Sequence, residues 1–168
     1  MWKNALTLSL VLALAPAACR PFVPATPPGF VELDGAAEGP YDYRATHPDG
    51  VVTAVRVVRN RPEGDLTFWA RAVENELRQA KGYRLLRSEA IQNRDGLAGR
   101  LLEFGHDEGK SPHVYRVALY LHRRDLFVLE QGGTRELVTA HTAELEQALR
   151  DFSVKTGVRS FLSYAGSG

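Results

Sequence analysis

HVYRVALYLHRRDLFVLEQGG, residues His113 to Gly133, decides how this chain folds. Tyr115, Val117, Leu119 and Leu121 occupy every second position and make one wholly apolar face, which is the period of a β-strand. Arg124-Asp125 then turns the chain into a second apolar run, Leu126 to Gln131, and Gly132-Gly133 is expected to break it. A turn this short permits only an antiparallel pairing.

The same grammar extends upstream. Leu97 to His106 and Tyr83 to Gln92 read as two strands joined by the Asn93-Arg94-Asp95-Gly96 turn, with Asp107 to Pro112 as a polar loop before His113. Earlier still, Tyr41, Tyr43 and Ala45 alternate with polar residues. Pro48-Asp49-Gly50 turns the chain, and the β-branched run Val51 to Val58 completes a hairpin. Between the hairpins, Asp65 can cap a helix whose apolar positions are Leu66, Trp69, Ala70, Val73, Leu77 and Ala80, ended by Gly82. A last helix is expected within Glu136 to Phe152, with Val138, Leu145, Ala148, Leu149 and Phe152 inward. Six strands, mostly antiparallel, and two helices predict an α+β domain over residues 30–154, followed by a tail, 155–168. No repeat of solenoid length is visible.

This order of elements resembles the PsbP-like fold, an α/β/α sandwich shared by extrinsic photosystem proteins, a Ran-binding nuclear import factor and many bacterial lipoproteins. The local phrases that carry the resemblance are the helix Leu66 to Lys81 running into Tyr83-Arg84-Leu85-Leu86, the strand Gly99-Arg100-Leu101-Leu102-Glu103-Phe104, and the closing Leu145-Glu146-Gln147-Ala148-Leu149-Arg150-Asp151-Phe152. The resemblance implies a non-enzymatic protein-binding module, although a fold by itself does not fix a function.

The N-terminus supplies an address. Lys3, the apolar run Ala5 to Ala15 and the small residues Ala15, Ala17 and Ala18 have the layout of a secretory signal over residues 1–18, too short to be a transmembrane helix. Pro16-Ala17-Ala18-Cys19 resembles the lipobox of bacterial lipoproteins, in which the cysteine is acylated and becomes the mature N-terminus; Pro16 departs from the aliphatic residue the family prefers there. Cleavage after Ala17, leaving Cys19 as a free thiol, is the rival outcome. Cys19 is the sole cysteine, and an unpaired thiol is unusual in an exported chain, so lipidation at Cys19 is the expectation. Two or three acyl chains would anchor it firmly. Pro21, Pro24, Pro27 and Pro28 predict an extended tether over residues 19–29. Arg20, rather than an aspartate, after the cysteine leans towards the outer membrane facing the periplasm, by resemblance to sorted lipoproteins.

Charge excludes some partners. Without Lys3 the formal charge falls from +1 to about zero, and the seventeen arginines are interleaved with acids, so no general basic field recruits nucleic acid. No cofactor fingerprint is present. Leu121-His122-Arg123-Arg124-Asp125-Leu126 looks like a kinase catalytic loop but has an extra arginine and no glycine-rich loop before it. His106, Asp107, Glu108 and His113 gather metal-ligand types around one hairpin loop, which supports an alternative reading as a periplasmic metal-binding protein or enzyme. His47 beside Pro48-Asp49, and His141 on the last helix, read as surface residues or satisfied partners. Carriage of an apolar ligand between helix and sheet is a third possibility. Arg116, Tyr120 and His122 share one face of their strand, and with Arg56 and Arg100 they would form a polar recognition surface if all of them converged on an uncovered part of the sheet. The expected function is a membrane-anchored, non-catalytic binding or assembly module with an envelope protein partner.

Overall fold

The structure, a computed structural model, describes residues 20–33, 39–108 and 111–155. The signal segment, Cys19 and residues 156–168 lie outside them. Six strands form where the alternation predicts: β3 (Tyr43–Thr46), β4 (Val52–Arg59), β5 (Arg84–Gln92), β6 (Ala98–Glu108), β7 (Ser111–His122) and β8 (Asp125–Thr134). Three two-residue strands join them, β1 (Phe22–Val23), β2 (Val31–Glu32) and β9 (Ser153–Val154). The main sheet runs β2-β3-β4-β8-β7-β6-β5, with every pair antiparallel, and β1 pairs with β9 in a ribbon of its own.

Helix α1 (Leu66–Asn75) carries the chain from β4 to the far edge of the sheet, and a π-helical turn (Glu76–Ala80) extends it. Asp65 caps it, its side chain accepting from the Phe68 N–H at 2.7 Å. Its apolar stripe packs Ala70 and Leu77 onto Leu102, Phe104, Val117, Leu119, Leu126 and Val128. Helices α2 (Arg135–Ala140) and α3 (Thr142–Asp151) cover the other face, where Val138, Leu145 and Leu149 meet Val55, Leu101, Ala118, Tyr120, Phe127 and Leu129. The result is the expected sandwich, an α+β fold with the sheet between two helical layers.

Three expectations change. The single C-terminal helix is two, because the chain bends at His141 (φ −101°, ψ 18°). Gly132-Gly133 does not end β8, which continues to Thr134; the missing side chains leave the strand ladder intact. Most consequentially, the proline-rich stretch is not a free spacer. Phe22 is fully buried against Phe127 and Phe152, Pro27 is buried, Phe30 joins the core, and the Lys155 N–H donates to Pro21 O at 2.9 Å. Prolines keep a segment extended, but they do not stop an aromatic residue between them from docking.

The core tyrosines make the fold pH-sensitive. Tyr115 and Tyr120 are pushed well above the ordinary phenol range by burial, with the Glu130 charge adding to the shift at Tyr115. Their stabilising contribution is complete below pH 10, where both states hold the proton. Above it the unfolded chain ionises first, so stability should fall by about 1.4 kcal/mol per pH unit for each tyrosine until the folded phenols titrate. Tyrosinate absorbance rising together with loss of near-ultraviolet dichroism checks this; tyrosinate appearing several pH units below unfolding would refute it.

Candidate functional site

Alternation along β7 places Val114, Arg116, Ala118 and Tyr120 on the face covered by α2 and α3. Arg116 therefore points into a layer that is mostly apolar, and it is only 1% exposed. The register builds a polar row around it: Arg87 on β5, Glu103 on β6, Arg116, Gln131 on β8 and Thr53 on β4 are successive cross-strand partners. Glu103 reaches Arg116 Nε at 3.5 Å, and Glu146 of α3 reaches its Nη2 at 3.7 Å, both too long for good hydrogen bonds. Among the described residues no group hydrogen-bonds Nε, Nη1 or Nη2 of Arg116, nor Gln131 Oε1. Gln131 Nε2 does donate, to Leu145 O at 2.9 Å.

A buried guanidinium in this state is costly, since burial disfavours the cation; desolvation lowers its pKa and the two glutamates oppose that. Arginine nonetheless keeps its charge in proteins. The side chain lines a cleft of about 310 Å³ between α2 and the β5 edge. Arg84, Arg87 and Arg135 stand around the same cleft, Glu103 is the one carboxylate among the described residues that line it, and Leu86, Val114 and Val138 supply apolar wall. Leu86, 43% exposed, forms its lip next to an irregularity in the β5–β6 register. Guanidinium forks converging on one cavity suit a planar or tetrahedral anion, a carboxylate or a phosphate, with an apolar flank.

The other residues singled out from sequence have separate fates. Tyr120 shares the face of Arg116 but is core, donating its hydroxyl to Leu149 O at 3.0 Å and stacking on Phe152. Its ring packs against Gly99, where a Cβ would come within 2.6 Å of it. His122 ends β7 opposite Asp125, about 20 Å along the strand from Arg116 at ~3.3 Å per residue. Arg56 and Arg100 face the α1 side, opposite Val128 and Leu119, and Arg56 pairs with Glu130 at 2.9 Å. The five residues therefore do not converge, because a strand's faces alternate and only Arg116 lies at the cleft. Glu103, Arg87 and Gln131 were missed; the one signal was an arginine at an inward position of β7.

The hairpin metal loop is likewise rearranged. His106 and His113 are direct cross-strand partners, but His106 stacks on Tyr83 with centroids 4.5 Å apart, and His113 Nδ1 is 2.9 Å from Ser111 O. Asp107, next in the strand after His106, points to the opposite face. Among the described residues the group that does assemble three metal-type ligands is His47, Asp49 and His141. No described helix is long and apolar enough to cross a membrane.

Sandwich and topology together define the PsbP-like class of fold. Solved structures agree: the solution structure of cyanobacterial PsbP (CyanoP) from Synechocystis matches over 80% of this chain and 87% of that one, with TM-score 0.57 and 14% identity. LpqN of Mycobacterium tuberculosis, described as involved in cell envelope biogenesis, matches over 80% and 83% with TM-score 0.62 and 10% identity. The Saccharomyces cerevisiae Ran-binding protein Mog1p matches over 80% and 90% with TM-score 0.56 and 14% identity. No family model matches the sequence, and no curated protein sequence matches it.

Proposed function

We propose that this chain is an exported lipoprotein, anchored through acylated Cys19 to an envelope membrane, where it works as a non-catalytic binding or assembly module that grips an anionic group of a protein partner in the Arg116 cleft. The observation that carries the reading is Arg116 itself, a buried cation without hydrogen-bond partners at a cavity lined by three further arginines. That lining of guanidinium, aliphatic and threonine groups binds and orients, and its carboxylate, Glu103, stands between Arg87 at 3.3 Å and Arg116 at 3.5 Å. The solved neighbours support the class of role, since one is named for binding a protein and another for envelope biogenesis.

Anchoring would hold the domain close to the bilayer. Phe22 is buried only three positions after Cys19, so the link between lipid and domain spans about 10 Å. The outer membrane, facing the periplasm, is the preferred side, on the strength of Arg20. The test has two arms. Wild-type chain should fractionate with membranes and carry acyl mass on Cys19, while Cys19→Ser should be released to the soluble fraction. A photo-crosslinker in place of Leu86 should give one discrete adduct with an envelope protein, lost in Arg116→Met. Unmodified Cys19 would overturn the anchor, and an adduct indifferent to Arg116 would overturn the cleft.

A further inference from the structure

His47, Asp49 and His141 meet where three distant parts of the chain join. His47 and Asp49 flank Pro48 in the β3–β4 turn, which is closed by the His47 N–H to Val51 O at 2.8 Å and the Gly50 N–H to His47 O at 2.9 Å. Gly50, at φ +106°, permits the reversal. His141 sits at the bend between α2 and α3. Asp49 Oδ1 lies 2.7 Å from His47 Nδ1, and Oδ2 lies 2.7 Å from His141 Nε2. The imidazole centroids are 4.2 Å apart, and Phe30 packs on both rings at 5.4 and 6.1 Å. Side-chain exposures of 24%, 32% and 16% for His47, Asp49 and His141 leave the cluster partly open to solvent.

One histidine–aspartate contact would suffice to pin the turn to the helix bend. Here two imidazole nitrogens and a carboxylate oxygen lie within 4.8 Å of one another, which is the donor set of a three-ligand site for a borderline divalent ion. Metal–ligand bonds of about 2.0–2.2 Å in tetrahedral array separate donors by ~3.3 Å. The two 2.7 Å contacts, made to different oxygens of Asp49, would open by about half an ångström, and the wider separations of the 4.8 Å set would close, by side-chain adjustment on a turn and a helix junction.

We propose that His47 Nδ1, the Asp49 carboxylate and His141 Nε2 bind a divalent first-row metal ion, zinc(II) fitting best, with a fourth position left for water or an incoming ligand. On binding, each neutral imidazole keeps its one ring proton on the nitrogen turned away from the ion, and only a second proton, where a ring carries one, leaves to solvent. The ion would clamp the β3–β4 turn to the α2–α3 bend beneath Phe30. The proposal does not depend on the role of the Arg116 cleft.

Untagged full-length chain, with the Cys19→Ser chain in parallel, is titrated with zinc chloride by calorimetry at neutral pH. One zinc per chain is expected in both, with a rise in melting temperature of about 5–10 °C when free zinc is a hundredfold above its dissociation constant. Asp49→Asn and His141→Gln should each weaken binding by about 100-fold, whereas joint replacement of His106 and His113 by Gln should change nothing. Should a variant misfold, cobalt(II) added to wild type decides, by selective paramagnetic broadening of the His47 and His141 ring signals. Absence of saturable binding in wild type, loss of it in Cys19→Ser, or broadening centred on His106 and His113 would each overturn the site.

Discussion

Arg116→Met is expected to leave the domain as stable as wild type or to raise its stability, by up to about 1–4 kcal/mol, while removing partner binding. The wild-type domain already bears a cost at this position. Three guanidinium nitrogens are buried without hydrogen bonds, and the nearest carboxylates stand at 3.5 and 3.7 Å. An unbranched apolar side chain would fill much of the same space among Val114, Ala118 and Val138 without that desolvation. Nor does removal strand a buried countercharge. Glu103 keeps Arg87 at 3.3 Å, and Glu146 keeps Arg150 at 3.7 Å and is 38% exposed. Arg116→Lys should separate charge from geometry: it restores the cation but not the fork, and binding should stay impaired. Urea unfolding with an unchanged m-value measures the first half, and the Leu86 crosslink measures the second. A loss above about 3 kcal/mol in Arg116→Met would instead make Arg116 a structural keystone.

Stability given up at one position while the rest of the core is conventionally packed is a pattern expected of sites kept for binding. It also explains why the cleft was only partly legible. The inward period of β7 marks Arg116 in sequence, but Glu103 and Gln131 become its neighbours only through a register that pattern alone does not set. The metal cluster was less legible still. Asp49 and His141 are 92 positions apart and meet because β4 pairs with β8, a long-range choice, and because the final helix bends at His141. By contrast, α1 with its Asp65 cap and the six long strands follow from local signals that agree with the final packing, which is where sequence reading is strongest. The proline-rich stretch failed for the opposite reason, since its composition described backbone stiffness and concealed what Phe22 does.

Phe22→Ala should therefore destabilise the domain by about 3–5 kcal/mol, lowering its melting temperature by roughly 10–20 °C. Were residues 19–29 a solvated spacer, the same substitution would change stability by no more than about 0.5 kcal/mol, so the two views are far apart. Phe22 fills the end of the core between Phe127, at 6.3 Å in an edge-to-face arrangement, and Phe152, at 5.7 Å. Its backbone pairs with Val154 and joins the start and the finish of the described domain in one ribbon. Thr26 adds a 2.7 Å hydrogen bond to the buried Tyr43 hydroxyl, so the segment is fastened at more than one point. A chain begun at Phe30 should lose more than Phe22→Ala, because it uncovers Phe127 and Phe152 and leaves β9 without its partner. Thermal unfolding of both variants against wild type gives the answer. A domain docked from Phe22 onward cannot range far from an acylated Cys19, so the same measurement bears on function: a wild-type melting temperature in Phe22→Ala would restore a long, free tether and remove the reason for expecting the partner at the membrane surface.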